Sequence, residues 1–525
     1  MVQVADRLHP SVFAERRPDE PAYIMARSGE VVTWSELETR TRQASQLFRS
    51  LGLEAGDGIA LLLDNHPRFL EICWAAQRSG LYFTPMSWHF TASEADYIVR
   101  DSGAKLFLAS AAFEAVASEV GMGVGDGVTL LSVDDAFGAF GSYEEARDEH
   151  PAEPISDESF GDDMLYTSGT TGRPKGVRRP LDGRPIDHYP QSYLYYASAG
   201  YREGAVHLAP GPLYHASPLH TSMVAQTFGG TVVVSDRFEP ETTLAWIEKY
   251  QVSHSNWVPT HFVRLLRLAE DVRSSYDLSS LELVLHGAAA CPAWVKEAMI
   301  DWVGPILTEY YGGSEGFGAC LIDSDEWLAH RGSVGRPLTG GVHIVDEASM
   351  EEVPVGEVGM IYFETHAEMT YHNDPDKTKS VRTPEGWATL GDMGSVDADG
   401  YVYLADRRAD LIITGGVNVY PREVEDRLLS HPGVVDVAVY GTPDDEYGEI
   451  VHAVIEPREK ENDRELLEKE LRLHAAKALS KVKCPRAYEF VESLPRRENG
   501  KLYKRLLRDS VGGSSSPFQP TQSTQ

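Results

Sequence analysis

The sequence predicts an α/β fold with a large N-terminal domain and a small C-terminal α+β domain. Two observations lead to this prediction: helical and strand-like apolar patterns alternate in the N-terminal half, and the pattern changes after residue 405. The chain has 525 residues, of which 42% are hydrophobic and 24% charged, a composition that supports several sizeable cores. We therefore predict domains at residues 1–405 and 406–510 and a disordered tail at 511–525.

The N-terminal half alternates predicted helices with predicted strands. Thr33 and Glu36 have the spacing of a capping box, and apolar residues at helical spacing follow them. Residues 58–63, GIALLL, form a continuously apolar run that is typical of a strand buried in a parallel sheet. Residues 67–79 predict the next helix and 106–109 the next strand. This order indicates helices packed on a parallel sheet.

The C-terminal region has elements of its own. Pro421 begins a predicted helix that continues through residues 423–430, and strands are predicted at 434–440 and 450–455. A further helix is predicted at roughly 463–479. Its apolar face comprises Leu467, Leu471, Ala475 and Ala478. These elements are sufficient for a small α+β domain.

Charge and cysteine content restrict the class of protein. The formal net charge of −32 argues against nucleic acid as the main partner, because phosphate backbones bind basic surfaces. The four cysteines are far apart and form no CxxC pair, which suits a reducing cytoplasm. Neither a signal peptide nor an apolar run long enough to span a membrane is recognisable. We expect a soluble cytoplasmic enzyme.

Residues 164–177, MLYTSGTTGRPKGV, have the composition of a phosphate-binding loop. Small residues allow several backbone N–H groups to face one concavity, hydroxyls add donors, and Lys175 supplies a cation. The segment is not a Walker A loop, since the G-x-x-x-x-G-K-[ST] pattern is absent. A Gly- and Ser-rich surface turn is the alternative interpretation.

Five ordered motifs together resemble those of the adenylate-forming superfamily, which includes acyl-CoA synthetases, peptide-synthetase adenylation domains and luciferases. The motifs are YTSGTTGRPKG at 166–176, YGGSE at 311–315, GD at 391–392, DRRAD at 406–410 with TGG at 414–416, and NGK at 499–501. The resemblance extends over roughly residues 10–508 and is strongest for the acyl-CoA synthetase branch.

The resemblance implies a fold and a two-step reaction. The fold would be a large adenylate-forming domain with parallel and mixed sheets, followed by a small mobile C-terminal domain. A small-molecule carboxylic acid would react with Mg²⁺-bound ATP to give an acyl-adenylate and pyrophosphate, and coenzyme A would then displace AMP. The acid and the triphosphate repel each other, since two unit negative charges 4 Å apart repel by about 4 kcal/mol at an effective dielectric near 20. Local cations are therefore needed.

The resemblance also assigns residues to ATP. The residues expected to wrap its phosphates are Thr167, Ser168, Gly169, Thr170, Thr171, Gly172 and Lys175. Ser314 would contact the α-phosphate, and Asp392 would accept the ribose hydroxyls with Arg407 nearby. The adenine would lie against Tyr311 and Gly312 on one side. Its other side would face Gly287, Ala288 and Ala289.

Three residues are predicted to act in catalysis. Glu315 would hold Mg²⁺, and Lys501 would bridge the substrate carboxylate and the α-phosphate as charge builds. Without their motifs, a loop glutamate or a lysine in a cationic stretch would be interpreted as solvated. His215 matches a histidine at the edge of the acyl pocket, although a structural role is an alternative. The tyrosines between residues 189 and 201 could line that pocket or could simply pack.

The acceptor side has fewer supporting residues. Gly415 and Gly416 would allow close approach of the pantetheine arm of coenzyme A. Ala409 occupies the hinge position where many relatives have Asp or Lys, so the usual marker of domain rotation is missing. We predict a monomeric or homodimeric acid–CoA ligase acting on a fatty or a bulky or cyclic acid. The alternatives are an amide-forming synthetase, a ligase competent in one half-reaction, and a non-catalytic nucleotide-binding protein.

Overall fold

The structure is a computed structural model that describes most of the chain. The described residues are 8–125, 127–167, 174–190, 193–415, 417–444, 447–458, 464–496, 502, 504 and 507. The predicted tail at 511–525 therefore lies outside the described residues.

The first part of the chain forms a six-stranded parallel sheet with helices, and its first two strands belong to a second sheet. Its elements are α1 (Pro10–Arg16), β1 (Pro21–Met25), β2 (Val31–Thr33), α2 (Trp34–Ser50), β3 (Gly58–Leu62), α3 (Arg68–Arg78), β4 (Tyr82–Pro85), α4 (Ala92–Asp101), β5 (Ala104–Ser110), α5 (Glu114–Val124), β6 (Thr129–Val133), β7 (Gly141–Ser142), α6 (Tyr143–Asp148) and β8 (Asp162–Asp163). Six strands pair in the order β7-β6-β5-β3-β4-β8, and every pair in this sheet is parallel.

The capping box predicted before α2 is confirmed. The Thr33 side chain accepts a hydrogen bond from the Glu36 N–H at 3.3 Å, and Glu36 accepts one from the Thr33 N–H at 2.9 Å. All five residues of β3 are buried, as its continuous apolar run predicted. Local sequence signals therefore determine both elements.

The next part of the chain contributes most of a second, mixed sheet. Its elements are β9 (Leu165–Thr167), β10 (Lys175–Arg178), α7 (Tyr193–Ser198), β11 (Val206–Ala209), α8 (Ala216–Thr227), β12 (Thr231–Val234), α9 (Pro240–Tyr250), β13 (His254–Trp257), α10 (Pro259–Leu266), α11 (Glu270–Arg273), β14 (Leu283–His286), α12 (Ala293–Val303), β15 (Leu307–Gly312), β16 (Ala319–Ile322), α13 (Ser324–Ala329) and β17 (Ser333–Pro337). Strands β12, β11, β13, β14 and β15 are parallel neighbours, and β16 and β17 continue the sheet antiparallel.

Antiparallel strands complete this sheet at one edge. They and their neighbours are β18 (Val342–Val345), β19 (Gly359–Glu364), β20 (Thr370–Tyr371), α14 (Pro375–Ser380), β21 (Trp387–Ala388), β22 (Asp392–Val396) and β23 (Val402–Arg407). The exception is β20, which joins β10 and β9 in a separate three-stranded sheet.

The largest core cluster joins the first two sheets through α2 and α3. Its buried members include Tyr23, Phe48, Ile59, Phe69 and Val232, which come from β1, α2, β3, α3 and β12. Burial of such side chains is the main stabilising contribution to a domain of this size.

The C-terminal residues form their own sheet. Its elements are β24 (Ile412–Thr414), β25 (Val417–Val419), α15 (Pro421–Leu429), β26 (Val434–Asp444), β27 (Gly448–Pro457), α16 (Arg464–Ala476) and β28 (Ala487–Phe490). Leu467, Leu471 and Ala475 are buried as the helical spacing predicted. The prediction for Ala478 is wrong, because α16 ends before it and Ala478 is exposed. Among the helices of the described residues, none is both long and apolar enough to cross a membrane.

Candidate active site

A β-hairpin carries the predicted phosphate-binding segment. Lys175, at the start of β10, lies opposite Thr167, at the end of β9. Of the loop between them, residues Ser168, Gly169, Thr170, Thr171 and Gly172 lie outside the described residues. The Lys175 ammonium forms an ion pair with Asp374, and this bond raises the pKa of the lysine. Asp374 also caps α14 by accepting the Lys377 N–H. Lys175, the predicted cation, thus lies near the strand end that leads out of the loop, and the Asp374 carboxylate lies beside it.

The YGGSE segment forms the end of β15 and the loop that follows it. The Tyr371 hydroxyl of β20 donates to Glu315 Oε1 at 2.8 Å. Burial, with the Glu315 charge adding to it, raises the pKa of the Tyr371 hydroxyl. Arg179, directly after β10, donates from Nη1 to the Ser314 carbonyl at 3.0 Å. Since β10 and β20 pair in one sheet, both bonds attach this loop to the sheet that contains the hairpin.

A glycine in the same loop leaves space for the glutamate. A Cβ added at Gly313 would lie 2.5 Å from Glu315 Oε2 and 2.6 Å from a methyl of Leu390. Real Cβ atoms do not approach other heavy atoms so closely, so with a Cβ at residue 313 the Glu315 carboxylate and the Leu390 side chain would have to shift.

The residues predicted for adenine and ribose are in contact. The Tyr311 hydroxyl donates to Asp392 Oδ2 at 2.8 Å. Asp392 lies opposite Arg407 in the pairing of β22 with β23. The structure therefore brings these three predicted residues together, although it describes Arg407 only through its backbone.

The segment containing Gly287, Ala288 and Ala289 follows β14 and lies beside β15. A Cβ at Gly287 would approach the Tyr310 carbonyl oxygen to 2.6 Å, so the segment after β14 and the backbone of β15 are in close contact. Ala288 has φ 65°, a left-handed conformation that is unusual for alanine. Strained backbone of this kind is concentrated at functional sites.

A polar group lies on the other face of β15. The Tyr310 hydroxyl donates to Ser217 Oγ at 2.6 Å, and Ser217 donates to Asn256 Oδ1 at 3.0 Å. Burial raises the pKa of Tyr310, so its hydroxyl stays protonated. His215 is the N-terminal cap residue of α8, two positions before Ser217, and is half-buried. The predicted edge of the acyl pocket is thus adjacent to this polar group.

The tyrosines between residues 189 and 201 pack against one another. The rings of Tyr196 and Tyr201 are 5.6 Å apart at 88°, and Tyr201 lies 5.3 Å from the His254 ring. Tyr201 is only 3% exposed. Tyr195 instead donates its hydroxyl to Thr339 Oγ1 at 3.3 Å. For Tyr196 and Tyr201 these contacts favour packing over the pocket alternative.

The predicted C-terminal residues are only partly described. Gly415 follows β24 with φ 56°, and its N–H donates to the Tyr447 carbonyl at 2.8 Å. Gly416 and Lys501 lie outside the described residues. Of the residues near Lys501, Lys504 pairs with Glu425 of α15 at 2.8 Å. Burial acts to lower the pKa of Lys504, but the surrounding carboxylates raise it.

Sequence reasoning missed four residues of this region: Arg179, Tyr310, Tyr371 and Asp374. Asp374 could have been found, because Asp before Pro375 is a signal for a helix N-terminus. The arginine pair at 178–179 directly after the glycine-rich segment was a weak signal. Tyr371 is distant in sequence and matches none of the five motifs, so only its pairing with β10 reveals its position.

The site thus combines a lysine and a threonine at a hairpin mouth with an adjacent carboxylate, an aromatic ring and an aspartate. This is the arrangement expected of an adenylate-forming enzyme. Residues 11–370 match the family described as AMP-binding enzyme, and residues 423–501 match the AMP-binding enzyme C-terminal domain. The chain belongs to the AMP-binding enzyme family.

Individual relatives agree with this assignment. Feruloyl-CoA synthase of Amycolatopsis sp is 32% identical over 491 residues, covering 92% of this chain and 95% of that protein. The fatty acid–[acyl-carrier-protein] ligase ScoC of Streptomyces coeruleorubidus is 29% identical, covering 97% and 99% respectively. Among solved structures, ATP-bound MatB from Rhodopseudomonas palustris has a TM-score of 0.80 at 27% identity, covering 96% of this chain and 99% of that one.

A second solved structure has a different product in its name. The amide bond synthetase McbA from Marinactinospora thermotolerans has a TM-score of 0.78 at 26% identity, covering 96% of this chain and 100% of that chain. The predicted family, the predicted fold class and the predicted enzyme class, an ATP-dependent ligase of the acyl-CoA synthetase type, are confirmed.

Proposed function

We propose that the protein is an acid–CoA ligase. It activates a carboxylic acid with ATP to an acyl-adenylate and transfers the acyl group to the thiol of coenzyme A. The observation that carries the proposal is the attachment of the Ser314–Glu315 segment to the hairpin sheet through Tyr371 and Arg179. These bonds hold groups for the α-phosphate and the metal in a fixed relation to the strand ends that carry Thr167 and Lys175. Preorganised groups of this kind stabilise developing charge without reorganisation.

The residues present fit a magnesium ion held mainly by nucleotide. Over the residues that the structure describes, no group of three or more His, Cys, Asp or Glu side chains could hold a metal. Mg²⁺ does not need such a group, since it commonly binds one or two carboxylates together with phosphate oxygens and water. Glu315 would supply the carboxylate, with Tyr371 occupying only one of its oxygens. When bound, the ion would neutralise phosphate charge.

The acid would lie near His215 and the polar group formed by Tyr310, Ser217 and Asn256. In open α/β sheets, ligands bind in the crevice outside the carboxyl ends of parallel strands, where the loop after β14 lies beside the end of β15. Hydroxyl and amide groups at this wall would offer hydrogen bonds to polar substituents on a cyclic acid, which an unbranched alkyl chain does not have. The feruloyl-CoA synthase relative supports the same choice.

Residues 406–510 would act as a mobile domain that brings Lys501 to the reacting centre and later opens the path for the thiol. In the present arrangement Arg267, after α10, donates to the Val435 carbonyl of β26, which links the two parts. A rotation would break this surface contact at small cost and would be absorbed near Ala409.

Pyrophosphate release with a panel of acids tests the proposal. We expect release with at least one aromatic or cyclic acid, and accumulation of an acyl-CoA product only when coenzyme A is added. If no acid gives pyrophosphate, the complete ligase is excluded and a nucleotide-binding protein or a thioester-forming half-enzyme remains. An amide product with added amine and no thioester would favour the amide synthetase, the alternative supported by the likeness to McbA.

We also infer a cytoplasmic location, because all four cysteines are free. A monomer or homodimer is proposed, and size-exclusion chromatography with light scattering would distinguish the two.

A further inference from the structure

We propose that Arg179 is a positioning residue for the adenylation step, because it fixes the Ser314–Glu315 peptide against the base of the hairpin. The inference rests on the proposed function. It concerns a side chain outside the glycine-rich segment and outside the five motifs.

Arg179 closes the base of the hairpin. In the pairing of β9 with β10, Lys175 lies opposite Thr167 and Val177 opposite Leu165. Continued by two residues, this register places Arg179 opposite Asp163. The guanidinium donates from Nε to Asp162 Oδ2 at 2.7 Å, and its Nη2 lies 3.0 Å from Asp163 Oδ1.

The same guanidinium also forms a hydrogen bond to a residue outside the hairpin. Nη1 donates to the carbonyl oxygen of Ser314 at 3.0 Å. That carbonyl belongs to the peptide that joins Ser314 to Glu315, so the bond restricts how this peptide can rotate. The direction of the Glu315 side chain depends on the same peptide. The Arg179 guanidinium therefore fixes the position of the Glu315 carboxylate, which is proposed to bind Mg²⁺, relative to the hairpin.

Arg179 keeps its charge because the two aspartates beside it outweigh burial and raise its pKa, whereas burial raises the pKa of Asp162. Burial acts to raise the pKa of Asp163, but Arg179 and His220 outweigh it and hold the pKa well below its usual range. His220 of α8 contacts Asp163 Oδ1 at 2.7 Å. The Tyr82 hydroxyl donates to the Arg179 carbonyl at 2.6 Å, which fixes the backbone of the arginine. A buried network whose polar groups are hydrogen-bonded makes its surroundings rigid, so this arrangement is rigid.

Lysine cannot replace arginine in this geometry. A guanidinium presents five donors in a fixed plane, whereas an ammonium is a single point charge at the end of a flexible chain. Lysine at position 179 would neutralise an aspartate but could not at the same time hold Asp162, Asp163 and the Ser314 carbonyl. Arg179→Lys therefore separates charge from positioning.

The experiment compares Arg179→Lys with Arg178→Lys in the full-length protein. Arg178 is the preceding residue, and its guanidinium lies over the Tyr82 ring at 4.6 Å. We measure the melting temperature, and pyrophosphate release as a function of ATP and of Mg²⁺. For Arg179→Lys we expect a nearly unchanged melting temperature, a fall of at least tenfold in kcat/KM for ATP, and at least a fivefold rise in the Mg²⁺ concentration for half-maximal rate. Arg178→Lys is expected to stay within twofold of the wild type.

Each outcome decides a different question. If the wild type releases pyrophosphate and both lysine variants behave alike, Arg179 is not a positioning residue. If the wild type releases none with any acid, the proposed function itself fails. Should Arg179→Lys not fold, Arg179→Gln combined with Asp162→Asn keeps the net charge of the cluster and serves instead. An unchanged Mg²⁺ dependence in that folded double variant would overturn the proposal.

Discussion

The nucleotide side of the proposed site and its acceptor side are assembled in different ways. On the nucleotide side, Tyr311 binds Asp392 directly, and Tyr371 binds Glu315. On the acceptor side, Gly415 is bonded through its N–H to Tyr447, within the C-terminal part of the chain. The hydrogen bonds on the nucleotide side join segments that are distant in sequence, whereas the bond on the acceptor side lies within the small C-terminal part.

Under the proposed function, this difference means that the two half-reactions depend on different kinds of order. The groups proposed for adenylation are held in place before substrate binds, which would lower the reorganisation needed in the transition state. Groups for the acceptor step would be carried by a part of the chain that has to move. Variants on the two sides should therefore affect the two half-reactions separately.

The largest expected effect is that of Lys501→Ala. The proposed role of Lys501 is to neutralise charge as the acyl-phosphate bond forms, and loss of one such group costs about 3 kcal/mol, roughly a hundredfold. We expect pyrophosphate release to fall by that factor, while thioester formation from preformed acyl-adenylate survives. Lys477→Ala, an exposed lysine of the same region, is the control. Equal loss of both steps would refute the assigned role.

Gly313→Ala should come next, with a fall of roughly tenfold or more in kcat/KM for ATP. The added Cβ would lie 2.5 Å from Glu315 Oε2, so the carboxylate must move, and misplaced catalytic groups are costly in rate. Pyrophosphate release measures the effect. Gly127→Ala is the control, since a Cβ there meets nothing within 4 Å. Wild-type kinetics for Gly313→Ala would show that the position of Glu315 is unimportant.

Gly415→Ala should act on the other half-reaction and more weakly. Its φ of 56° costs an L-residue about 1 kcal/mol, roughly fivefold, and a Cβ would lie 3.3 Å from Tyr447 Cδ1. We expect the KM for coenzyme A to rise by about that factor, with pyrophosphate release unchanged when coenzyme A is absent. Gly448→Ala, which also has a positive φ, controls for backbone strain alone. A change in the adenylation step would contradict the separation of the two sides.

Asp374→Asn should give the smallest effect, and in the favourable direction. Removing a carboxylate beside Lys175 removes a charge that repels the triphosphate, worth about 1 kcal/mol where water screens the two charges. The KM for ATP should fall by roughly fivefold or less. Asparagine still caps a helix, so α14 should persist. Asp376→Asn, an exposed residue of the same helix, is the control. A raised KM would mean that Asp374 instead orients the lysine.

The sequence predicted those parts of the molecule that are encoded locally. The capping box before α2 and the apolar run of β3 depend on neighbouring residues, and both are where the pattern placed them. The end of α16 was missed, because alanine has high helix propensity and Ala478 continued the spacing that defined the face.

The motifs predict which residues belong to the proposed site but not which contacts hold them in place. Tyr311 and Asp392 come from separate motifs and were expected to meet around one nucleotide, which their hydrogen bond is consistent with. Tyr371 and Arg179 act through tertiary contacts between segments more than 50 residues apart, at Glu315 and Ser314. No spacing rule in a single sequence identifies such contacts, since they depend on how β10 and β20 pair.

The pairing of Lys175 with Asp374 has a consequence for how the resting enzyme responds to buffer anions. Asp374 belongs to the same chain, so its effective concentration at the Lys175 ammonium is high. Sulfate or inorganic phosphate must displace the Asp374 carboxylate before it can bind the lysine. A ligand that makes many simultaneous contacts can do so, whereas a small anion with one or two contacts gains too little. The resting protein should therefore tolerate millimolar sulfate with little inhibition.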